Sequence, residues 1–389
     1  MTAKSARAKA TETTSDAGAE APKYALPEGL FTLLDGEDRD EALEASGLSA
    51  EQAIEIYRWM LTVRTMDTRM VNLQRQGRIA FYGPITGQEA ASVASGYAAT
   101  KKDWVFPALR EAVVAFMRGL SLDEAVAQLM GNENDRCKGR QMPCHYTLKE
   151  GNYYAMSSVI ATQLSHATGA AHAAQISGDD AVMLTYIGDG GTSENDFHAA
   201  LNWAGVFKLP VVFICQNNHW AITVHTKGQT KSDGYAVKAV AYGFDGLRVD
   251  GNDALAVYKA THDAIEKARS GGGPTLIEAV TYRMRGHTTS DDPRRYRDEE
   301  EVELWRTRDP IERLRTFLVE RGLWDDVQEL ALAEEVKGQV DAAVKRQEQV
   351  GPPDEHTLVE DVFATVPSGL EEQFEELVES GGFSEPKPH

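Results

Sequence analysis

The chain has 389 residues, 42% hydrophobic and 26% charged, the balance of a soluble globular protein able to bury a large core. Sixty acidic against 40 basic residues give a formal charge of −20, which repels phosphate backbones and anionic lipid and argues against nucleic acid or membrane as a partner. Cys137, Cys144 and Cys215 have no CxxC spacing, so neither a disulfide framework nor a zinc cluster is readable and a reducing, cytoplasmic compartment fits.

Residues 1–25, rich in Ala, Thr, Ser and Lys, read as a disordered tail, and Glu12, Asp16 and Glu20 argue against a mitochondrial transit peptide. Residues 26–80 read as a helical arm. Ser49 and Gln52 form a capping box, and Ala53, Ile56, Tyr57, Met60, Val63, Met66, Met70 and Leu73 recur at helical spacing until Gly77. Residues 81–365 read as one α/β domain. Strands are expected at Trp104–Phe106, Ala181–Ile187, Val211–Gln216 and Thr275–Tyr282, the last launched from Gly271-Gly272-Gly273-Pro274. Helices are expected between them, one capped by Ser193 with Asp196 and running to Phe207 before Pro210, another over Ala254–Arg269. Continuous apolar strands joined by helices imply a mainly parallel sheet covered on both faces. Charged helices over Glu299–Arg321 and Asp325–Gln349 extend the domain at its C-terminal end, and residues 366–389 form a loosely ordered acidic tail.

The chemistry lies in Ala181–Ala221, AVMLTYIGDGGTSENDFHAALNWAGVFKLPVVFICQNNHWA, a complete βαβ unit. Its first strand ends in Gly188-Asp189-Gly190 and its second in Asn217-Asn218, with residues 191 to 216 between. Both polar clusters therefore emerge at the carboxyl ends of parallel strands, where open α/β sheets bind ligands. The Asp189 carboxylate, the Asn218 amide oxygen and the Trp220 carbonyl supply three hard oxygens, half of an octahedral Mg²⁺ shell that a diphosphate completes. Gly188, Gly190 and Gly191 let the backbone approach that diphosphate, and a helix N-terminus near Thr192 offers free N–H groups.

This arrangement resembles the thiamine-diphosphate signature, GDG followed by paired asparagines. The wider chain, from about residue 50 to 365, is similar to the alpha subunits of the heterotetrameric 2-oxo acid dehydrogenases. The resemblance implies a thiamine-diphosphate-binding fold, with Asp189, Asn218 and the Trp220 carbonyl on the metal and Gly190 and Gly191 at the cofactor. In DWVFPALRE it implies Arg110 on the diphosphate, where the planar guanidinium grips phosphate oxygens in pairs; Leu109 stands where the family commonly has tyrosine. In KGRQMPCHY, closer to the branched-chain than the pyruvate type, His145 is implied in the substrate pocket. In RMRGHTTSDDPRRYR, five arginines surround His287, the position of the family histidine beside the thiazolium. Such a loop repels itself without an anion; the diphosphate, a 2-oxo acid carboxylate and the pair Asp291-Asp292 are its candidate counterions. Thr288 replaces the serine that is phosphorylated in the animal enzymes. Ser158 and Ile160 match aminopyrimidine contacts, Phe81 an apolar substrate contact, and Ser157, Thr162 and Gln163 a potassium site of some relatives; an ordinary helix start accounts for Ser157 to Gln163 equally well.

The family's glutamate against the pyrimidine ring belongs to a second α/β half that this chain lacks. A beta subunit is therefore implied, in an alpha2beta2 heterotetramer serving a lipoyl acyltransferase. The implied reaction is oxidative decarboxylation of a branched-chain 2-oxo acid with reductive acylation of lipoyl groups. A pyruvate or acetoin dehydrogenase alpha subunit remains open, since YIGDGGTSENDF is similar to bacterial pyruvate enzymes, as does a non-catalytic thiamine-diphosphate-binding protein. A Rossmann dehydrogenase does not fit, because no GxGxxG follows a strand.

Overall fold

A computed structural model describes residues 24–36 and 38–380, so the expectations for residues 1–23 and for the last nine residues lie outside the described residues. The helix Ala50–Arg75 starts where the sequence places it: Ser49 Oγ accepts from Gln52 N and Gln52 Oε1 from Ser49 N. Its apolar stripe is buried against the helices Pro310–Glu320 and Asp326–Gln347 and shares one core with residues of the central sheet.

That sheet has five parallel strands: β1 (Trp104–Phe106), β2 (Met183–Gly188), β3 (Val211–Asn217), β6 (Asp245–Asp250) and β7 (Thr275–Val280), in the order β1-β2-β3-β7-β6. A short antiparallel ribbon, β4 (Trp220–Ala221) with β5 (Val224–His225), follows β3. β3 and β7 are buried along their whole length, as central parallel strands covered on both faces must be. The α/β class and the helical C-terminal extension are those expected from the sequence.

Four local expectations shift. β6 is absent from the sequence reading because it is an edge strand, exposed at Asp245–Leu247, and its signal is only the alternation of Leu247 and Val249 between glycines. The Ser193 cap gives way to a 3-10 turn over Asp189–Ser193, and the helix Asn195–Phe207 takes Glu194 as its N-cap. The expected helix Glu299–Arg321 is two helices, Glu299–Arg306 and Pro310–Glu320, because Pro310 cannot continue the first and starts the second with Asp309 as its cap. The tail read as loosely held coils into a helix, Ser368–Glu379, of which no residue is buried.

The loop 82–88 connects the long helix to the sheet and is held by a buried carboxylate. Asp67, fully buried, accepts from Tyr82 Oη, Ile85 N, Thr86 N and Thr86 Oγ1 at 2.7–2.8 Å. At the loop's far end Gly87 N donates to Glu89 Oε2 at 2.9 Å, and Glu89 is paired with Arg64. Gly87 has φ +100°, and a Cβ there would lie 2.3 Å from the Tyr282 carbonyl oxygen, so glycine is required where the loop meets the end of β7. Asp67→Ala strands three or more buried donors; we expect a loss of about 3 kcal/mol or more by urea denaturation, with a smaller loss for Asp67→Asn, which keeps an acceptor.

Candidate functional site

Four parallel strands end at one cavity of about 540 Å³. Arg110 follows β1, Asp189 follows β2, Asn218 follows β3, and Arg283 and His287 follow β7. Of these, Arg110, Asp189, Asn218 and His287 line the cavity, with Gly190, Gly191, Trp220, Ser158, Ile160 and His145. Residues separated by more than 170 positions in the chain thus meet because parallel strands share one carboxyl edge.

Asp189 is 1% exposed and accepts from Gln229 Nε2 at 2.6 Å. Among the described residues it has no Lys, Arg or His within ion-pair distance, and burial raises its pKa to about 6. Asn218 Oδ1 accepts from Trp220 N at 3.2 Å, while its Nδ2 donates to Gln88 Oε1 at 2.8 Å. The Trp220 carbonyl accepts from Arg283 Nη1 at 3.1 Å, which leaves one of its two lone pairs. The neighbouring Asn217 faces elsewhere and donates to the buried Glu278 at 2.8 Å, so the paired asparagines divide into a structural and a cavity-facing residue.

Two arginines bring positive charge to the same region, Arg110 on the cavity surface and Arg283 behind it against the Trp220 carbonyl. Arg110 is buried, and its guanidinium donates to the carbonyls of Pro84 (3.0 Å) and His287 (2.7 Å) rather than to a carboxylate. Burial and the nearby Arg283 lower its pKa to about 10. Arg283, fully buried, donates to the Trp220 and Ile222 carbonyls and to Tyr296 Oη. Two buried guanidiniums without an ion-paired carboxylate form an anion site. Leu109 lines the cavity and packs towards Gly83, and no phenol stands in its place.

His287 lies between these arginines. Its Nδ1 faces Arg110 Nη2 and Arg283 Nη1, each at 3.5 Å, and its backbone N–H donates to Asp291 Oδ2 at 2.6 Å. Burial first, then the two guanidiniums, lowers its pKa to about 3, so the ring is neutral. The arginine-rich loop is ordered by its own contacts: Arg297 donates to the carbonyls of residues 283, 284 and 285, and Asp291 accepts from Tyr296 Oη. Only Asp291 of the expected acidic pair serves this core; Asp292 pairs with Arg294 on the surface.

His145 Nδ1 lies 3.1 Å from the Pro143 carbonyl and Nε2 2.6 Å from Ser158 Oγ, a network in which Nδ1 carries the proton and Ser158 donates. Phe81 also lines the cavity. Ser157 Oγ accepts from Val159 N, and Gln163 Nε2 donates to the Tyr186 carbonyl. Sequence reasoning missed Gln88 and Gln229 and did not single out Arg283 within its arginine-rich segment; none stands in the GDG…NN segment, and only the loop and strand-end packing brings them to it.

The residues fit a metal-bound diphosphate: a buried carboxylate without an ion-pair partner among the described residues, an oriented amide oxygen, and a buried guanidinium bonded to carbonyls line one cavity. Fold and site define an α/β protein with a ligand-sized cavity at the carboxyl edge of a parallel sheet. The chain belongs to the dehydrogenase E1 component family, which it matches over residues 57–355, and it is an oxidoreductase by that membership. Thiamine-diphosphate dependence goes with the family. It is 46% identical over 327 residues to the 2-oxoisovalerate dehydrogenase subunit alpha 2, mitochondrial, of Arabidopsis thaliana, covering 84% of this chain and 69% of that one. It is 43% identical over 325 residues to the 3-methyl-2-oxobutanoate dehydrogenase subunit alpha of Mycobacterium tuberculosis (83% and 85%). It is 41% identical over 331 residues to the 2-oxoisovalerate dehydrogenase subunit alpha, mitochondrial, of Homo sapiens (85% and 74%).

The neutral His287 has a consequence for stability. Its pKa is about 3 when folded against 6.5 as a free side chain, so between these values the unfolded chain binds a proton that the folded chain does not. Its contribution is complete above pH 6.5 and is lost as pH falls towards 3. Denaturation midpoints at pH 7 and 5 are expected to show a smaller acid loss in His287→Gln than in the unaltered protein. Equal losses would mean that the folded imidazole is already protonated.

Proposed function

We propose that this chain is the decarboxylating alpha subunit of a branched-chain 2-oxo acid dehydrogenase, binding Mg²⁺ and thiamine diphosphate at the carboxyl ends of β2 and β3. The observation that carries the reading is the buried Asp189, without an ion-pair partner among the described residues, lining one cavity with Asn218 and the carbonyl-bonded guanidinium of Arg110. Asp189, Asn218 and the free lone pair of the Trp220 carbonyl hold the metal, Gly190 and Gly191 admit the diphosphate, and Arg110 holds its anionic oxygens. Ser158 and Ile160, which line the same cavity, would contact the aminopyrimidine.

Bound thiamine diphosphate supplies the electron sink that lets a 2-oxo acid lose carbon dioxide. The chain's own part is binding and proton placement. Two guanidinium donors face Nδ1 of His287, so the proton sits on Nε2, and this neutral ring can exchange it with a reacting group or with lipoamide. His145, with its Nε2 held by Ser158, shapes the substrate end of the cavity together with Phe81 and Leu109.

A beta subunit completes the site. The described residues contain a single five-stranded sheet, and the cavity lining includes exposed apolar side chains, Ile160 (57%) and Ile222 (54%), which an isolated chain leaves in water. The reading includes alpha2beta2 assembly, transfer to a lipoyl acyltransferase and a cytoplasmic location, the last supported by three free cysteines. No helix of the described residues is long and apolar enough to cross a membrane.

Two experiments test the proposal. In the assembled alpha–beta enzyme, Asp189→Ala is expected to abolish Mg²⁺-dependent thiamine-diphosphate binding in calorimetry, and unchanged affinity would refute the assignment. With the same enzyme, kcat/KM for 3-methyl-2-oxobutanoate is expected to exceed that for pyruvate by about tenfold or more, the worth of filling an apolar pocket with added methyl groups. A preference for pyruvate would favour the pyruvate dehydrogenase alternative.

A further inference from the structure

Gln88 is 0% exposed, lines the cavity and lies 130 residues from Asn218 in the chain. It is the N-cap residue of the helix Glu89–Ala98, yet its side chain makes no capping hydrogen bond. Instead Gln88 Oε1 accepts from Asn218 Nδ2 at 2.8 Å, and Gln88 Nε2 is buried with no partner among the described residues. A buried amide nitrogen left unsatisfied is costly, so packing alone does not account for glutamine at this position.

An asparagine side chain is nearly symmetric in shape and opposite in chemistry at its two ends. Only the oxygen coordinates a hard cation, and a half-turn about the last side-chain bond would present an N–H₂ group to the metal. Trp220 N holds Asn218 Oδ1 from one side at 3.2 Å, and Gln88 Oε1 holds Nδ2 from the other. The acceptor is itself rigidly placed. Thr281 Oγ1 donates to the Gly87 carbonyl at 2.8 Å, Gly87 abuts the Tyr282 carbonyl, and Asp67 and Glu89 hold the backbone of the loop.

We propose that Gln88 is a positioning residue for the metal: its amide oxygen fixes which end of the Asn218 amide faces the cation. This role rests on the proposed binding of Mg²⁺ and thiamine diphosphate at Asp189 and Asn218. Gln88 touches neither the substrate nor the reacting atoms; it acts through Asn218, as residues behind metal ligands do elsewhere.

The test is the Mg²⁺ half-saturation concentration, measured by calorimetric titration of the assembled alpha–beta enzyme at fixed thiamine diphosphate. Gln88→Leu, or Gln88→Met where the leucine variant does not fold, removes the acceptor and is expected to raise that concentration 10- to 100-fold. Gln88→Glu keeps an acceptor for Asn218 Nδ2 and is expected to stay within about threefold of the unaltered enzyme. A purely structural role would lower the melting temperature of the variants without this selective loss and rescue. The inference is overturned if the apolar variants take up Mg²⁺ as tightly as the unaltered enzyme, or if Gln88→Glu fails as completely as they do. An unaltered enzyme that shows no Mg²⁺-dependent binding at all would overturn the functional reading itself, a result distinguishable from either.

Discussion

Buried charge without protein counter-charge is the constraint around which this molecule is arranged. Asp189 is closed off from water, accepts from Gln229 and has no cation in ion-pair contact among the described residues, while Arg110 and Arg283 are closed off and meet mainly carbonyl oxygens. Desolvating a carboxylate or guanidinium costs several kcal/mol when no opposite charge is supplied. The fold brings both signs to one cavity without pairing them, where a metal cation and a diphosphate would meet them. The lowered pKa of Arg110, about 10, and the raised pKa of Asp189, about 6, express the same unrelieved burial.

Supporting those charges requires backbone held to close tolerance, and much of it comes from outside the sheet. Asp67 gathers four donors from the loop 82–88, and that loop in turn places the Pro84 carbonyl under Arg110 and Gln88 against Asn218. The long helix Ala50–Arg75 therefore reaches the site through one carboxylate. Beyond β7, Arg297 reaches back to three successive carbonyls and closes the segment carrying His287, so the histidine is fixed by the loop's own chemistry.

The same segment shows how one residue type serves opposite ends. Arg283 is buried and bonded to carbonyls, Arg294 pairs with Asp292 on the surface, and Arg297 acts as a backbone clamp. Spacing alone does not separate these roles. The run reads as a self-repelling loop when like charges are counted along the chain, whereas in space Arg283, Arg294 and Arg297 face different partners.

The sequence by itself determined the elements whose signal is local. The capping box at Ser49, the apolar strands Val211–Gln216 and Thr275–Tyr282, and the GDG…NN spacing each rest on residues a few positions apart or on hydrophobic periodicity, and all are found within a residue or two of where they were read. Asp189 and Asn218 belong to this class, since parallel strands joined by a helix must end on the same edge. Edge strand β6 escaped because exposure removes the apolar pattern, and Gln88 and Gln229 escaped because nothing near them in the chain marks them. Only the tertiary structure decided which buried groups lack a counter-charge, which asparagine faces the cavity and what holds its amide, because these depend on contacts between segments 40 to 130 residues apart.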